Sequence, residues 1–72
     1  MIRVNVYFIT DKGEQAEVRE MQDNATLKEL IRNLQIQSPD QYIFIVNGKN
    51  RLGDYLLDDG DEVKIFIAMA GG

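Results

Sequence analysis

The 72-residue sequence has no cysteine and no histidine, and it has a single proline, Pro39. Without cysteine there is no thiol nucleophile and no disulfide, and without histidine the usual general base and the usual Cys/His zinc sites are missing as well. Side-chain catalysis is therefore not expected, and covalent chemistry is expected at the chain terminus instead. Long apolar runs are also lacking: no stretch approaches the roughly 20 residues a membrane span requires. The opening Met1-Ile2-Arg3-Val4-Asn5-Val6 alternates like a strand and lacks the basic segment and apolar block of a signal peptide. Cytoplasmic location and no membrane association are the expectations. Positive charge is scarce too. Eight basic residues face twelve acidic ones, for a net charge of −4. Such a balance argues against a counterion-releasing footprint on nucleic acid and favours a partner with a basic surface.

The sequence does have the patterning of one small globular domain. With 44% hydrophobic and 28% charged residues, composition is ordinary for a globular chain. A domain of this size buries only about 60% of its unfolded surface, which leaves no room for a deep cleft. Val4, Val6 and Phe8 alternate with Arg3, Asn5 and Tyr7, which predicts a strand over 3–10 with one buried face. Asp11-Lys12-Gly13 predicts a three-residue reversal with glycine in the left-handed position, followed by a strand over 14–21 with Ala16 and Val18 inward.

Thr26 and Glu29 have the T-x-x-E spacing of a capping box, so a helix is expected to begin there. Leu27, Leu30, Ile31 and Leu34 fall on one stripe, with Lys28, Glu29, Arg32 and Asn33 towards water. Pro39 marks the outer limit. Tyr42 to Val46 reads as a third strand that ends in the Asn47-Gly48 turn. A short edge strand is expected around Asn50-Arg51-Leu52, followed by a turn that packs Tyr55, Leu56 or Leu57 on the core. Asp59-Gly60-Asp61 is another turn. A final strand over 62–69 alternates Val63, Ile65 and Ile67 inward against Lys64, Phe66 and Ala68.

The resulting order is ββαββ. The first and last strands carry the heaviest apolar load and are expected side by side and parallel at the centre of the sheet. The architecture is α+β, a mixed sheet of about four strands on one amphipathic helix, in a single domain over 1–72 whose residues 69–72 form a tail. Phe66 is expected on the sheet face opposite the helix together with Ile43 or Ile45, an apolar surface suited to docking. The acidic cluster Asp58, Asp59, Asp61 and Glu62 lacks calcium-loop spacing and reads as a solvated turn, with ion pairing to a basic partner as a minority reading; no metal is expected.

Val46-Asn47-Gly48, then Leu57-Asp58-Asp59-Gly60-Asp61-Glu62-Val63-Lys64-Ile65, and finally Met69-Ala70-Gly71-Gly72 together resemble the thiamin and molybdopterin sulfur carriers, the ThiS and MoaD family of ubiquitin-like β-grasp proteins. Each motif is weak alone; the combination at this separation is specific, and the resemblance extends over essentially the whole chain. It implies that the chain is a carrier and co-substrate rather than an enzyme, binding no cofactor itself. The Gly72 carboxylate would be adenylated by an ATP-using enzyme of the ubiquitin-activating kind (ThiF/MoeB type). It would then be converted to a thiocarboxylate with sulfur from a donor protein, and would pass that sulfur to a biosynthetic enzyme. Gly71, Ala70 and Met69 would form the tail that enters the partner's active site, while Phe66, Ile45 and Ile43 would serve as the docking surface.

The chemistry agrees with this reading. A carboxylate becomes a useful electrophile once its oxygen is part of a leaving group, and coupling to AMP accomplishes that. Glycine lets the backbone approach another protein's active site closely. The tail lacks the prolines common in molybdopterin-type carriers, whereas the ten residues between Asn47-Gly48 and Asp59-Gly60 resemble the spacing of that type; the pathway stays open between thiamin and molybdopterin. Two other readings share the sequence: a ubiquitin-like modifier conjugated through Gly72, and a β-grasp interaction domain with an incidental tail.

Overall fold

Alternation of Val4, Val6 and Phe8 produces β1 (Ile2–Thr10), which turns through Asp11 and Lys12 into β2 (Gly13–Met21) in a computed structural model that describes residues 1–67. The Thr10 hydroxyl accepts the Lys12 N–H at 3.2 Å, and Gly13, at φ +126°, closes the reversal. Thr10 pairs with Gly13, so Ile2 lies opposite Met21, Val4 opposite Arg19 and Val6 opposite Glu17. This register corrects the expectation for Ala16 and Val18. Both are exposed, Val18 by 57%, and they lie opposite Tyr7 and Asn5 on the face away from the core. A three-residue loop would have set Thr10 against Glu14, and the one-residue difference moves every β2 side chain to the other face.

The helix α1 (Leu27–Asn33) starts at the predicted cap. The Thr26 hydroxyl accepts the Glu29 N–H at 3.2 Å, and the Glu29 carboxylate accepts the Thr26 N–H at 2.8 Å. Two further N-terminal amides that a helix leaves unpaired are taken by a distant loop: Leu27 N–H donates to the Tyr55 carbonyl and Lys28 N–H to the Gly53 carbonyl, both at 2.9 Å. At its C-terminus Gln35 adopts φ +60°. Its N–H donates to the Arg32 carbonyl, while Ile36 N–H reaches the Ile31 carbonyl, the pairing of a Schellman motif. The helix thus ends on its own cap, several residues ahead of Pro39, which begins a short 3-10 turn over Pro39–Gln41.

β3 (Tyr42–Val46) follows as predicted and is joined to a two-residue β4 (Lys49–Asn50) through Asn47 at φ +51° and Gly48 at φ +83°. Positive φ at both positions makes this the hairpin turn that matches strand twist. The edge strand thus falls slightly earlier than the expected Asn50-Arg51-Leu52. In the loop that follows, Leu57 is buried and Tyr55 half-buried, whereas Leu56 is 56% exposed. The last strand, β5 (Glu62–Ile67), enters the middle of the sheet.

Strand order is β2-β1-β5-β3-β4, with β1 and β5 parallel and the other pairs antiparallel. The centre is as expected, with five strands in place of about four. On the helix side, Val4, Val6, Phe44, Val46, Val63 and Ile65 pack against Leu27 and Leu30 to form the core. Ile67, predicted inward, is opposite Tyr42 in the last row of β5, outside the packed core, and is 51% exposed.

Candidate docking face and tail exit

The proposed chemical group and its approach, Gly72, Gly71, Ala70 and Met69, lie outside the described residues, as does Ala68. What the fold positions is the strand that leads to them. β5 is held on both sides, by β1 from Asn5↔Glu62 to Ile9↔Phe66 and by β3 from Val46↔Val63 to Tyr42↔Ile67. Its backbone is thereby fixed in direction by two ladders up to Phe66 and by the β3 ladder at Ile67.

The same registers define the face opposite the helix. Ile9, Phe66 and Ile43 form one row across the three central strands, and Tyr7, Lys64 and Ile45 form the next. Phe66 thus shares its face with both candidate isoleucines, Ile43 as its direct neighbour and Ile45 one row back. Ile43 is exposed; Phe66, Ile45, Ile9 and Tyr7 are half-buried. Ala16 and Val18, expected inward, extend this face across β2 opposite Tyr7 and Asn5. A shallow groove of about 450 Å³ lined by Ile9, Thr10, Asp11, Phe66 and Ile67 lies where β5 ends.

At the other end of β5 the two turns singled out in the sequence are joined. The Asp61 carboxylate accepts the Asn47 side-chain N–H and the Asp58 backbone N–H, both at 2.8 Å. The Asn47 side-chain carbonyl accepts the Glu62 N–H at 2.9 Å, and the Asn47 N–H donates to the Glu62 carbonyl at 2.8 Å. β1 is included in the network: the Asp59 carboxylate accepts the Arg3 N–H at 2.8 Å, and Gly60 N–H donates to the Arg3 carbonyl at 2.7 Å. Asp58, Asp59 and Glu62 are exposed, as a solvated turn requires, and the correction falls on Asp61. Asp61 is only 6% exposed and works as an internal acceptor that ties β5 to the β3–β4 turn. The sequence signal was an Asn-Gly turn and a Gly-Asp pair, whose partnership needs the β3–β5 pairing to be known. Among the described residues no group of three His, Cys, Asp or Glu side chains is arranged to hold a metal, and no helix is long and apolar enough to cross a membrane.

A family model described as the ThiS family matches residues 2–72. The chain belongs to the ThiS family. Solved structures agree on the ubiquitin-like β-grasp fold. A putative molybdopterin converting factor subunit 1 from Pyrococcus furiosus superposes with a TM-score of 0.79 at 20% identity, covering 96% of this chain and 100% of that one. SAMP1 from Haloferax volcanii gives a TM-score of 0.78 at 15% identity over 97% and 99% of the two chains. A ubiquitin from Caldiarchaeum subterraneum gives 0.70 at 16% over 99% and 98%. No curated protein sequence matches. ThiS family membership makes the chain's kind of function that of a sulfur carrier or ubiquitin-like modifier, and implies dealings with partner enzymes of cofactor biosynthesis.

Proposed function

We propose that this ThiS-family protein is a sulfur carrier whose Gly72 carboxylate is the working group. The carboxylate oxygen attacks the α-phosphorus of ATP on an activating enzyme, releasing pyrophosphate and leaving an acyl adenylate. Hydrosulfide supplied by a donor protein then attacks the acyl carbon, and the C–S bond forms as the C–O bond to AMP breaks, giving the thiocarboxylate and free AMP. Gly71, Ala70 and Met69 are the segment that enters the partner's active site, and Phe66, Ile45 and Ile43 are the docking surface. The protein itself supplies no catalytic side chain, consistent with a sequence that lacks cysteine and histidine.

The observation that carries the reading is the family match over residues 2–72, which spans the terminal Gly71-Gly72 as well as the fold. The placement of β5 supports it: a strand clamped between β1 and β3 delivers the following residues from a rigid base, with an apolar face around Phe66 beside the exit. Binding energy gathered on such a face can offset the cost of threading a tail into an active site.

The deciding experiment incubates the protein with an activating enzyme of the ubiquitin-activating type, ATP and a sulfur donor, and reads intact mass. Replacement of one oxygen by sulfur at Gly72 is expected. A variant lacking Gly71 and Gly72 is expected to melt like the full chain yet gain no sulfur. No exchange in the full chain, or exchange in the deletion variant, overturns the proposal. Recovery of Gly72 in amide linkage to lysines of other proteins would instead establish the modifier reading, which shares the adenylation step.

A further inference from the structure

Across the three central strands, the rows Ile9-Phe66-Ile43 and Tyr7-Lys64-Ile45 of the proposed docking face hold one charged side chain, Lys64. Lys64 stands in the central strand of that face, with Tyr7 as its lateral neighbour on β1 and Ile45 on β3, and Phe66 two residues along β5. It is exposed, and among the described residues its ammonium makes no ion pair. The charges nearest in the register do not neutralise it in place. Glu62 is two residues back along the same strand, about 7 Å away at strand rise. Glu14, opposite Ile9, is two strands across and one row on, and Glu20, further still, is opposite Arg3 and pairs with it at 3.6 Å. An apolar partner surface closing over Phe66, Ile43 and Ile45 would strip water from Lys64, and a desolvated cation without a counter-charge opposes binding.

We infer that Lys64 is the specificity-determining cation of the docking face, and that the partner seated there is a protein surface that presents a carboxylate within an apolar surround. The net charge of −4 points to a basic partner, but the face beside the tail exit asks for an acidic residue at its middle. The acidic residues lie around these rows rather than within them: Glu14 and Glu62 flank them on the same face, and Asp58, Asp59 and Asp61 precede β5, at the end of the sheet away from Phe66. A partner that is basic where it closes over Lys64 is therefore disfavoured, which gives the carrier a means of choosing among adenylating enzymes. The inference rests on the docking role assigned to Phe66, Ile45 and Ile43 above.

The test measures ATP-dependent adenylation by the organism's own activating enzyme, with the full-length carrier as the varied substrate. K64R, K64E and F66A are compared with the unaltered chain, and thermal melts show that each is folded. K64E is expected to raise KM for the carrier by about tenfold or more while kcat is kept, and K64R to stay within about threefold. F66A raising KM with K64E unchanged overturns the role of Lys64 and leaves the docking face standing. If neither substitution changes KM, the docking face itself is wrong. If the unaltered carrier is not adenylated, the sulfur-carrier reading falls and the inference falls with it.

Discussion

Asp61 is the residue whose replacement tests the fold most directly. Its carboxylate accepts two hydrogen bonds at 2.8 Å, from the Asn47 side chain and the Asp58 backbone, in a site where Asp61 is 6% exposed. Substitution by alanine removes both acceptors and leaves two donors facing a gap. Hydrogen bonds to charged groups contribute about 1.5–3 kcal/mol each. Because Asn47 and Asp58 are exposed and water can reach them, the lower end applies, for a total of about 3 kcal/mol. A domain of this length has about 4–11 kcal/mol of stability in all, so the loss is a large fraction. Thermal unfolding should fall by about 12–24 °C, and urea unfolding should show a lower midpoint at unchanged slope. Asp61→Asn is the sharper probe: it keeps the shape and one acceptor but turns an amide NH2 towards a donor, so it should lose most of the same stability. A double-mutant cycle with Asn47→Ala should give a coupling of about 1–2 kcal/mol. A cost below about 1 kcal/mol for Asp61→Ala, or an Asp61→Asn variant as stable as the original, would refute the description of this network.

The β2 register and the helix C-cap supply two further tests. Val18→Thr should alter stability by no more than about 0.5 kcal/mol because Val18 is exposed on the outer face, whereas Leu30→Ala, at a fully buried site, should cost about 2–5 kcal/mol; comparable losses in denaturant titrations would restore Val18 to the core. Gln35→Gly should raise stability by about 0.5–1 kcal/mol, since glycine relieves the left-handed strain at φ +60° at a smaller cost in chain entropy; a lower melting temperature would contradict the Schellman cap.

Elements set by local chemistry were legible in the sequence. Thr26 and Glu29 define the helix start without help from the rest of the chain, and Tyr42 to Val46 followed by Asn47-Gly48 gives strand and turn together. The apolar load of the first and last strands located the parallel pair at the centre of the sheet. What failed was set by pairing. In Glu14 to Met21 only Ala16, Val18 and Met21 are apolar, so the alternation is too thin to fix a face, and the loop was read one residue too long. Burial of Asp61 was invisible for a related reason: its partner Asn47 is 14 residues distant and meets it only once β3 and β5 are side by side. On the candidate site, period-two alternation is enough to set Phe66 on the outer face with Ile43 or Ile45, but the presence of both isoleucines there and the place of Lys64 among them require both registers of β5.

The central position of β5 also makes the fold a form of proofreading. β1 and β3 do not touch in the sheet; each meets the other only through Glu62–Ile67. A chain that stops short of β5 therefore consists of two separate ribbons, β1–β2 and β3–β4, and isolated two-stranded ribbons are marginal in water. The pairing that unites them joins Asn5 to Glu62, far apart in the sequence, so the chain must be made through β5 before the sheet can close. A product that ends before β5 keeps an open sheet accessible to proteases, and only chains that include β5 acquire the closed one.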